Sequence, residues 1–207
     1  MTSTDVGKID AKDTALIVVH LTKGVVQAGV GSFSRAFAEP VERAGLIEKV
    51  ARVADGLRAK GGVVVYTGVA FRPGYPEIPP VSPMMRFAVE HDAMLAGSEE
   101  VEIADGVPVT PDDFVVLGTR GNGFLGTDLD LLLRGRGIER VAVCGVATNV
   151  AVESTARGAA DLNYRLVMLS DGCLTNREEA HRASLESLGE WYSDATLTCD
   201  QFLAALR

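Results

Sequence analysis

The chain has 207 residues, of which 47% are hydrophobic and 23% charged, and its formal net charge is -8. This composition excludes a disordered, collagen-like or coiled-coil chain, and we expect one α/β domain over residues 1–207. The acidic balance and the lack of a basic stripe argue against binding to nucleic acid or to an anionic membrane surface.

The N-terminal residues lack the apolar core of a signal peptide, and no later stretch approaches the roughly eighteen apolar residues of a membrane span. We therefore expect a cytoplasmic protein. Its cysteines are odd in number, and a chain of this length does not need disulfide staples, so we expect reduced thiols at Cys144, Cys173 and Cys199.

Apolar runs rich in β-branched residues predict strands at 14–20, 62–68, 114–118, 140–145, 164–171 and 195–199. Helical spacing of apolar residues and capping signals predict helices that begin at Pro40, near Met84, at Thr127, at Thr148 or Asn149, and after a capping box at 175–178. The first of these helices continues to the stop at 60–62. Five prolines make 71–83 a loop.

Strands that alternate with helices imply right-handed crossovers and an open, mostly parallel sheet with helices on both faces. Functional sites in such sheets lie beyond the carboxyl ends of the strands, which here are His20, Gly68, 118–124 and 145–151. These segments contain no dinucleotide fingerprint, no phosphate-binding loop and no metal-ligand spacing, so we expect neither a cofactor nor a metal.

The segment GFLGTDLDLLLRGRGIERVAVCGVATNVAVESTARGAADLNY, residues 123–164, and the DGC…REEAH stretch at 171–181 carry a resemblance to a known family. They are similar to the isochorismatase-like cysteine hydrolases, which include nicotinamidases, N-carbamoylsarcosine amidohydrolase and isochorismatase. The resemblance implies a six-stranded parallel sheet, a small-molecule substrate, and a homodimer or larger homo-oligomer in which subunits help to close the pocket.

The family's chemistry uses an aspartate base after the first strand, a lysine after the third and a cysteine nucleophile at a helix N-terminus. The resemblance places His20, Gly118 and Ala151 at these positions. All three functional groups are therefore replaced. No other thiol is a good substitute, because Cys144 lies inside an apolar strand and the remaining two cysteines are more typical of packing.

The resemblance also implies a pocket around the replaced positions. Its candidate residues, besides His20, are Lys23, Arg120, Asn122, Phe124, Ala147, Thr148, Asn149 and Ala151. The backbone N–H groups at 147–151 would form an oxyanion hole, with a cis peptide bond at Ala147–Thr148 or Val146–Ala147.

His20 is the candidate general base, because an imidazole titrates near neutral pH, and Arg120 is the candidate clamp for a carboxylate. Each has a plain alternative: His20 only bonds a neighbour at a strand end, and Arg120 is only a solvated surface residue. We expect His91 and His181 to lie on solvated helix faces, whereas the sequence does not orient Arg72.

Two functions remain open. The first is a hydrolase of a small carboxylate, amide or enol ether that works without a covalent intermediate. The second is a catalytically silent relative that binds a ligand or forms an assembly. The replacements at 20, 118 and 151 favour the second function, whereas the retained GVATN turn and the titratable His20 favour the first.

Overall fold

A computed structural model describes residues 7–79 and 81–207 and contains one six-stranded, all-parallel sheet. Its strands are β1 (Thr14–Val19), β2 (Val63–Val69), β3 (Phe114–Gly118), β4 (Arg140–Val146), β5 (Arg165–Leu174) and β6 (Ala195–Leu197). Their order across the sheet is β3-β2-β1-β4-β5-β6. The predicted parallel α/β architecture is confirmed.

Helices connect the strands and surround the sheet. The α-helices are α1 (Lys23–Val26), α2 (Ser34–Ala44), α3 (Leu46–Arg58), α4 (Pro83–Glu90), α5 (Leu129–Gly135), α6 (Glu153–Asp161), α7 (Glu178–Trp191) and α8 (Cys199–Ala205). Two 3-10 turns cover Ala11–Asp13 and Glu99–Val101, and a π-helical turn, Thr148–Val152, runs directly into α6. Helix α3 packs against α8, and α6 packs against α7.

The burial of the central strands explains why their apolar runs are easy to recognise in the sequence. Every residue of β1 and β4 is buried, as continuous apolar runs predict for strands that are covered on both faces. Edge strand β3 instead leaves Val115 and Leu117 exposed. Burial of the strand residues therefore falls from the centre of the sheet toward this edge.

The helix predicted from Pro40 is wrong in its boundaries. The chain forms two helices there, because Gly45 adopts a left-handed conformation with φ 59° and ends α2 immediately before α3 begins. This geometry is the usual glycine C-cap. Pro40 lies inside α2 and not in its first turn.

Two predictions near the C-terminus are also wrong in detail. The predicted capping box at 175–178 does not form, because Arg177 is the N-cap of α7 and no side chain caps this helix. The capping box belongs to α8, where Thr198 and Gln201 bond each other's backbone N–H groups. Cys199 consequently begins a helix and does not end a strand.

The topology determines where a site can form. Strand order reverses between β1 and β4, which are hydrogen-bonded neighbours, and a crevice opens outside the carboxyl ends of parallel strands at such a point. His20 follows β1 and Ala147 follows β4. In the part of the chain that the structure describes, no helix is long and apolar enough to cross a membrane.

Candidate functional site

A cavity of about 560 Å³ opens at this switch point. Its size falls within the range of small-molecule sites. Of the residues predicted for the pocket, the cavity brings together His20, Arg120, Ala147 and Ala151. The carboxyl ends of β1, β3 and β4 therefore contribute to one wall.

His20 adopts a left-handed backbone conformation with φ 52°, and its backbone N–H donates to the carbonyl of Thr67 at 2.8 Å. Burial lowers the pKa of its imidazole from 6.5 to about 4, so the ring is neutral at pH 7. Its Nε2 atom is buried without a hydrogen-bond partner among the described residues. The plain alternative for His20, a bond from its side chain to a neighbour, is not found here.

Ala151 is 3% exposed and lines the cavity from the π-helical turn. The peptide bond Val146–Ala147 is cis, at one of the two places that the resemblance allowed. The Ala147 carbonyl accepts hydrogen bonds from Val150 at 3.0 Å and from Val152 at 3.2 Å. The turn is therefore tied back to the end of β4.

At Gly118, where relatives are expected to have lysine, Thr127 leaves no room for a side chain. A Cβ atom on Gly118 would lie 2.7 Å from Cγ2 of Thr127, closer than carbon atoms pack. Thr127 is itself held by a hydrogen bond from its hydroxyl to the carbonyl of Gly123 at 2.5 Å. A lysine at this position would therefore require Thr127 to move.

Arg120 supplies a cation to the same end of the cavity. Its guanidinium donates to the carbonyl of Thr119 at 2.7 Å and to the carbonyl of Glu77 at 3.2 Å. Both acceptors are neutral. The side chain is thus oriented by backbone groups while its charge stays uncompensated by any ion pair within the described residues.

The other predicted pocket residues do not line the cavity. Lys23 forms ion pairs with Glu102 at 2.9 Å and with Glu99 at 3.3 Å, and these hydrogen bonds raise its pKa above the usual lysine range. Asn122 accepts a hydrogen bond from the backbone N–H of Phe124 at 2.9 Å. The Phe124 ring stacks on Tyr164, and Asn149 is exposed.

Thr148 does not line the cavity either, but it connects the π-helical turn to α7. Its hydroxyl forms a 2.9 Å hydrogen bond with Nδ1 of His181, and its carbonyl accepts from the hydroxyl of Ser184 at 3.3 Å. Burial lowers the pKa of His181. The prediction of a solvated His181 is therefore wrong, because the face of α7 that carries His181 packs against the π-helical turn.

Sequence reasoning missed one side of the cavity, which α2 and α4 supply. Its wall is mostly apolar and includes Phe33, Phe37, Phe71, Met84, Met85, Phe87 and Met94. Arg35 also reaches the cavity from the start of α2. The sequence signal for this wall is the aromatic and methionine content of the segments between the strands. A search for site residues only where strands end does not include these segments.

The cysteines of this chain lie away from the cavity lining. All three are free and buried. Burial raises the thiol pKa of Cys144 and Cys173 above the usual range and that of Cys199 to about 12. Neutral, enclosed thiols are not available as nucleophiles. Within residues 7–79 and 81–207, no group of histidine, cysteine and carboxylate side chains is arranged to hold a metal.

These observations define a largely apolar cavity, to which the described part of the chain contributes one neutral imidazole, two guanidinium groups and no thiol. The match to known families gives the context, since the isochorismatase domain matches residues 14–198. The chain belongs to the isochorismatase family.

Family relatives cover most of the chain. An uncharacterized isochorismatase family protein, YwoC of Bacillus subtilis, is 32% identical over 183 residues, which is 86% of each chain. Ureidoacrylate amidohydrolase RutB of Stutzerimonas stutzeri is 32% identical over 215 residues, covering 94% of this chain and 85% of the relative.

The solved structures agree on the isochorismatase-like fold. A cysteine hydrolase from Pseudomonas syringae superposes with a TM-score of 0.86 at 22% identity, covering 95% of this chain and 93% of the other. The family and fold expected from the sequence are thus confirmed, and the chain is an isochorismatase-family α/β protein with amidohydrolase relatives.

Proposed function

We propose that this protein is a hydrolase of a small amide, enol ether or related carboxylate-bearing compound, and that it works without a covalent enzyme intermediate. The observation that carries the proposal is the imidazole of His20, which lines the cavity and has a buried nitrogen without a partner among the residues that the structure describes. Buried polar groups are almost always satisfied, so an unpaired one in a pocket suits a ligand or a water molecule.

In this mechanism the unprotonated nitrogen of neutral His20 accepts a proton from water as the water attacks the substrate. Burial keeps the imidazole unprotonated from neutral pH down to about its pKa of 4. A substrate carboxylate bound nearby would raise that pKa, because a negative charge favours the imidazolium. The substrate would thereby strengthen the base at the moment when it is needed.

Charge that develops on the substrate requires a donor. The proposed donors are the backbone N–H groups at the start of the π-helical turn, where helix geometry leaves donors without intrahelical acceptors. The guanidinium of Arg120 orients the carboxylate of the substrate. Ala151 leaves no sulfur to attack the substrate, so water must be the nucleophile. The relative named as an amidohydrolase supports hydrolysis as the reaction class.

The test is turnover of a panel of carboxylate-bearing amides and enol ethers by the wild-type chain and by His20→Asn. Asparagine tolerates the left-handed backbone at this position. General-base catalysis typically contributes a factor of about 10² to 10⁴, so we expect at least a hundredfold loss of kcat. We also expect kcat/KM to stay flat as pH falls through 6.5.

His91→Asn is the matched control, because His91 is exposed and lies outside the cavity lining. It should leave turnover unchanged. Equal activity of wild type and His20→Asn on the best substrate would remove His20 from the mechanism.

A second candidate function is ligand binding without turnover. It is favoured by the closure of the lysine position at Gly118 and by the absence of any carboxylate from the described cavity lining. Binding of panel compounds to the wild-type chain with no hydrolysis of any of them would select this alternative.

We further propose that the protein is cytoplasmic and self-associates. The exposed apolar side chains of Val115 and Leu117 on edge strand β3 support self-association. Sedimentation velocity measures the oligomeric state, and a monomer at micromolar concentration would contradict the second part.

A further inference from the structure

The charge of the cavity is opposite to that of the whole chain. The titratable side chains that line it, among the described residues, are His20, Arg35 and Arg120. His20 is neutral at pH 7. The cavity therefore presents two positive charges within a protein whose formal net charge is -8.

Two glutamates that are hydrogen-bonded to lining residues have other partners for their carboxylates: Glu77, whose carbonyl accepts from Arg120, and Glu100, which contacts Met94. Glu77 pairs its Oε1 with Arg72 at 2.9 Å, and that hydrogen bond holds the pKa of Glu77 below its usual value. Glu100 accepts a hydrogen bond from the backbone N–H of Met94 at 2.9 Å. Neither carboxylate forms an ion pair with Arg120, so the positive charge is available to a ligand.

The two arginines differ in their support. Arg120 is oriented by the carbonyls of Thr119 and Glu77, which leaves part of its five-donor fork unused. Arg35 is exposed on α2 and forms no ion pair within the described residues, whereas Arg43 on the same helix pairs with Glu39. The cavity lining thus contains one oriented, partly buried cation, Arg120, and one exposed cation, Arg35.

Most of the remaining lining is apolar and partly aromatic. The rings of Phe33 and Phe87 meet with centroids 4.9 Å apart in a tilted arrangement. Met84, Met85 and Met94 surround the same space. Aromatic edges and faces bind another ring favourably, and methionine adapts to its outline.

We propose that the cavity selects an organic anion with an aromatic or alicyclic body: Arg120 binds its carboxylate, Arg35 attracts it at the rim, and the Phe33–Phe87 wall holds the ring. This inference rests on the proposed function in that it names the substrate class of the same site. It concerns equilibrium binding, however, and holds whether or not His20 drives turnover.

The test is isothermal titration of the wild-type chain with three probes that offer no bond to hydrolyse. The first is 3-phenylpropionate, the second is the uncharged 3-phenylpropan-1-ol, and the third is propionate, which lacks the ring. We expect 3-phenylpropionate to bind at least about tenfold more tightly than either, as one lost charged hydrogen bond or one lost buried ring implies.

Variants assign the selectivity to residues. Arg120→Gln should weaken binding of 3-phenylpropionate at least about tenfold and leave binding of the alcohol unchanged. Arg35→Gln should cause a smaller loss that disappears in high salt, because an exposed charge is screened. Arg43→Gln, the matched control on α2, should bind all three probes as the wild type does.

Equal affinity for the acid and the alcohol would overturn the anion part of the proposal, and equal affinity for the acid and propionate would overturn the ring part. No binding of any probe at 10 mM would overturn both. Selective probe binding without turnover of the hydrolysis panel would instead count only against the proposed hydrolase.

Discussion

The resemblance predicts that His20, Gly118 and Ala151 stand where relatives have their aspartate, lysine and cysteine, and the three residues differ in their structural setting. Ala151 lies in the π-helical turn and has only a methyl side chain. His20 occupies a left-handed backbone position with φ 52°. At Gly118, Thr127 occupies the space that a side chain would need. The ungapped flanking motif lets the resemblance predict which residues stand at these positions, but the role of Thr127 depends on a contact that no local pattern encodes.

Ala151→Cys tests whether the turn still presents position 151 to the cavity. Position 151 lines the cavity, and its neighbour Gly121, which also lines the cavity, has no side chain to cover it. We expect iodoacetamide to modify the introduced thiol at least tenfold faster than the native cysteines, which are buried and have raised pKa values. Mass spectrometry of timed samples measures the rates.

Ala156→Cys provides the matched control, because Ala156 is fully buried on α6 and does not line the cavity. Its thiol should react as slowly as the native ones. Similar labelling rates for the two introduced cysteines would mean that position 151 is not accessible from the cavity.

At the scale of elements, the capping box was assigned to the wrong helix because two segments have the same spacing of residues. A threonine followed three residues later by Glu or Gln occurs both at Thr175 and at Thr198, yet only Thr198 forms the capping box. The hydrogen bonds decide between them, since Thr198 lies at the end of β6, where the chain turns directly into α8. Such choices depend on tertiary position, which the spacing alone does not contain.

The junction between α7 and the π-helical turn gives a prediction at this scale. His181→Ala removes the hydrogen bond to Thr148 and leaves the Thr148 hydroxyl in a fully buried position. We expect the free energy of unfolding to fall by about 1 kcal/mol, the usual net value of such a bond. Faster amide exchange in residues 148–152 should accompany the loss.

Arg182→Ala is the control for that experiment, because Arg182 is the next residue on α7 and is exposed, with only a long 3.8 Å contact to Glu186. Its effect should stay within about 0.5 kcal/mol. If His181→Ala and Arg182→Ala have equal stability and equal exchange in the turn, the hydrogen bond does not hold the turn in place.

For the whole molecule, the sequence predicted the architecture because burial of the central strands leaves a strong hydrophobic signal. It also predicted which strand ends meet, since the carboxyl ends of parallel strands share one edge. The apolar wall from α2 and α4 was out of reach. Apart from Phe71, which closely follows β2, its residues lie well beyond the strand ends in sequence and meet them only after the intervening segments fold over the sheet.

The burial of a neutral histidine makes the stability of the whole molecule depend on pH. The pKa of His20 is about 4 in the folded chain and 6.5 in its ordinary state, so between these values the unfolded chain binds more protons than the folded chain. Stability from this group is therefore complete above pH 6.5 and is lost as pH falls toward 4. His181, whose pKa burial also lowers, adds a loss of the same sign.

The lowered pKa of His20 corresponds to a loss of about 3 kcal/mol in unfolding free energy between pH 6.5 and pH 4. Urea unfolding of wild type and His20→Asn across this range measures it. The variant lacks the titrating group, so its stability should fall less than that of the wild type over the same interval, while both curves share the remaining loss from His181 and the carboxylates. Parallel curves would mean that His20 has the same pKa in both states, and the enclosed imidazole on which the proposed base depends would then be excluded.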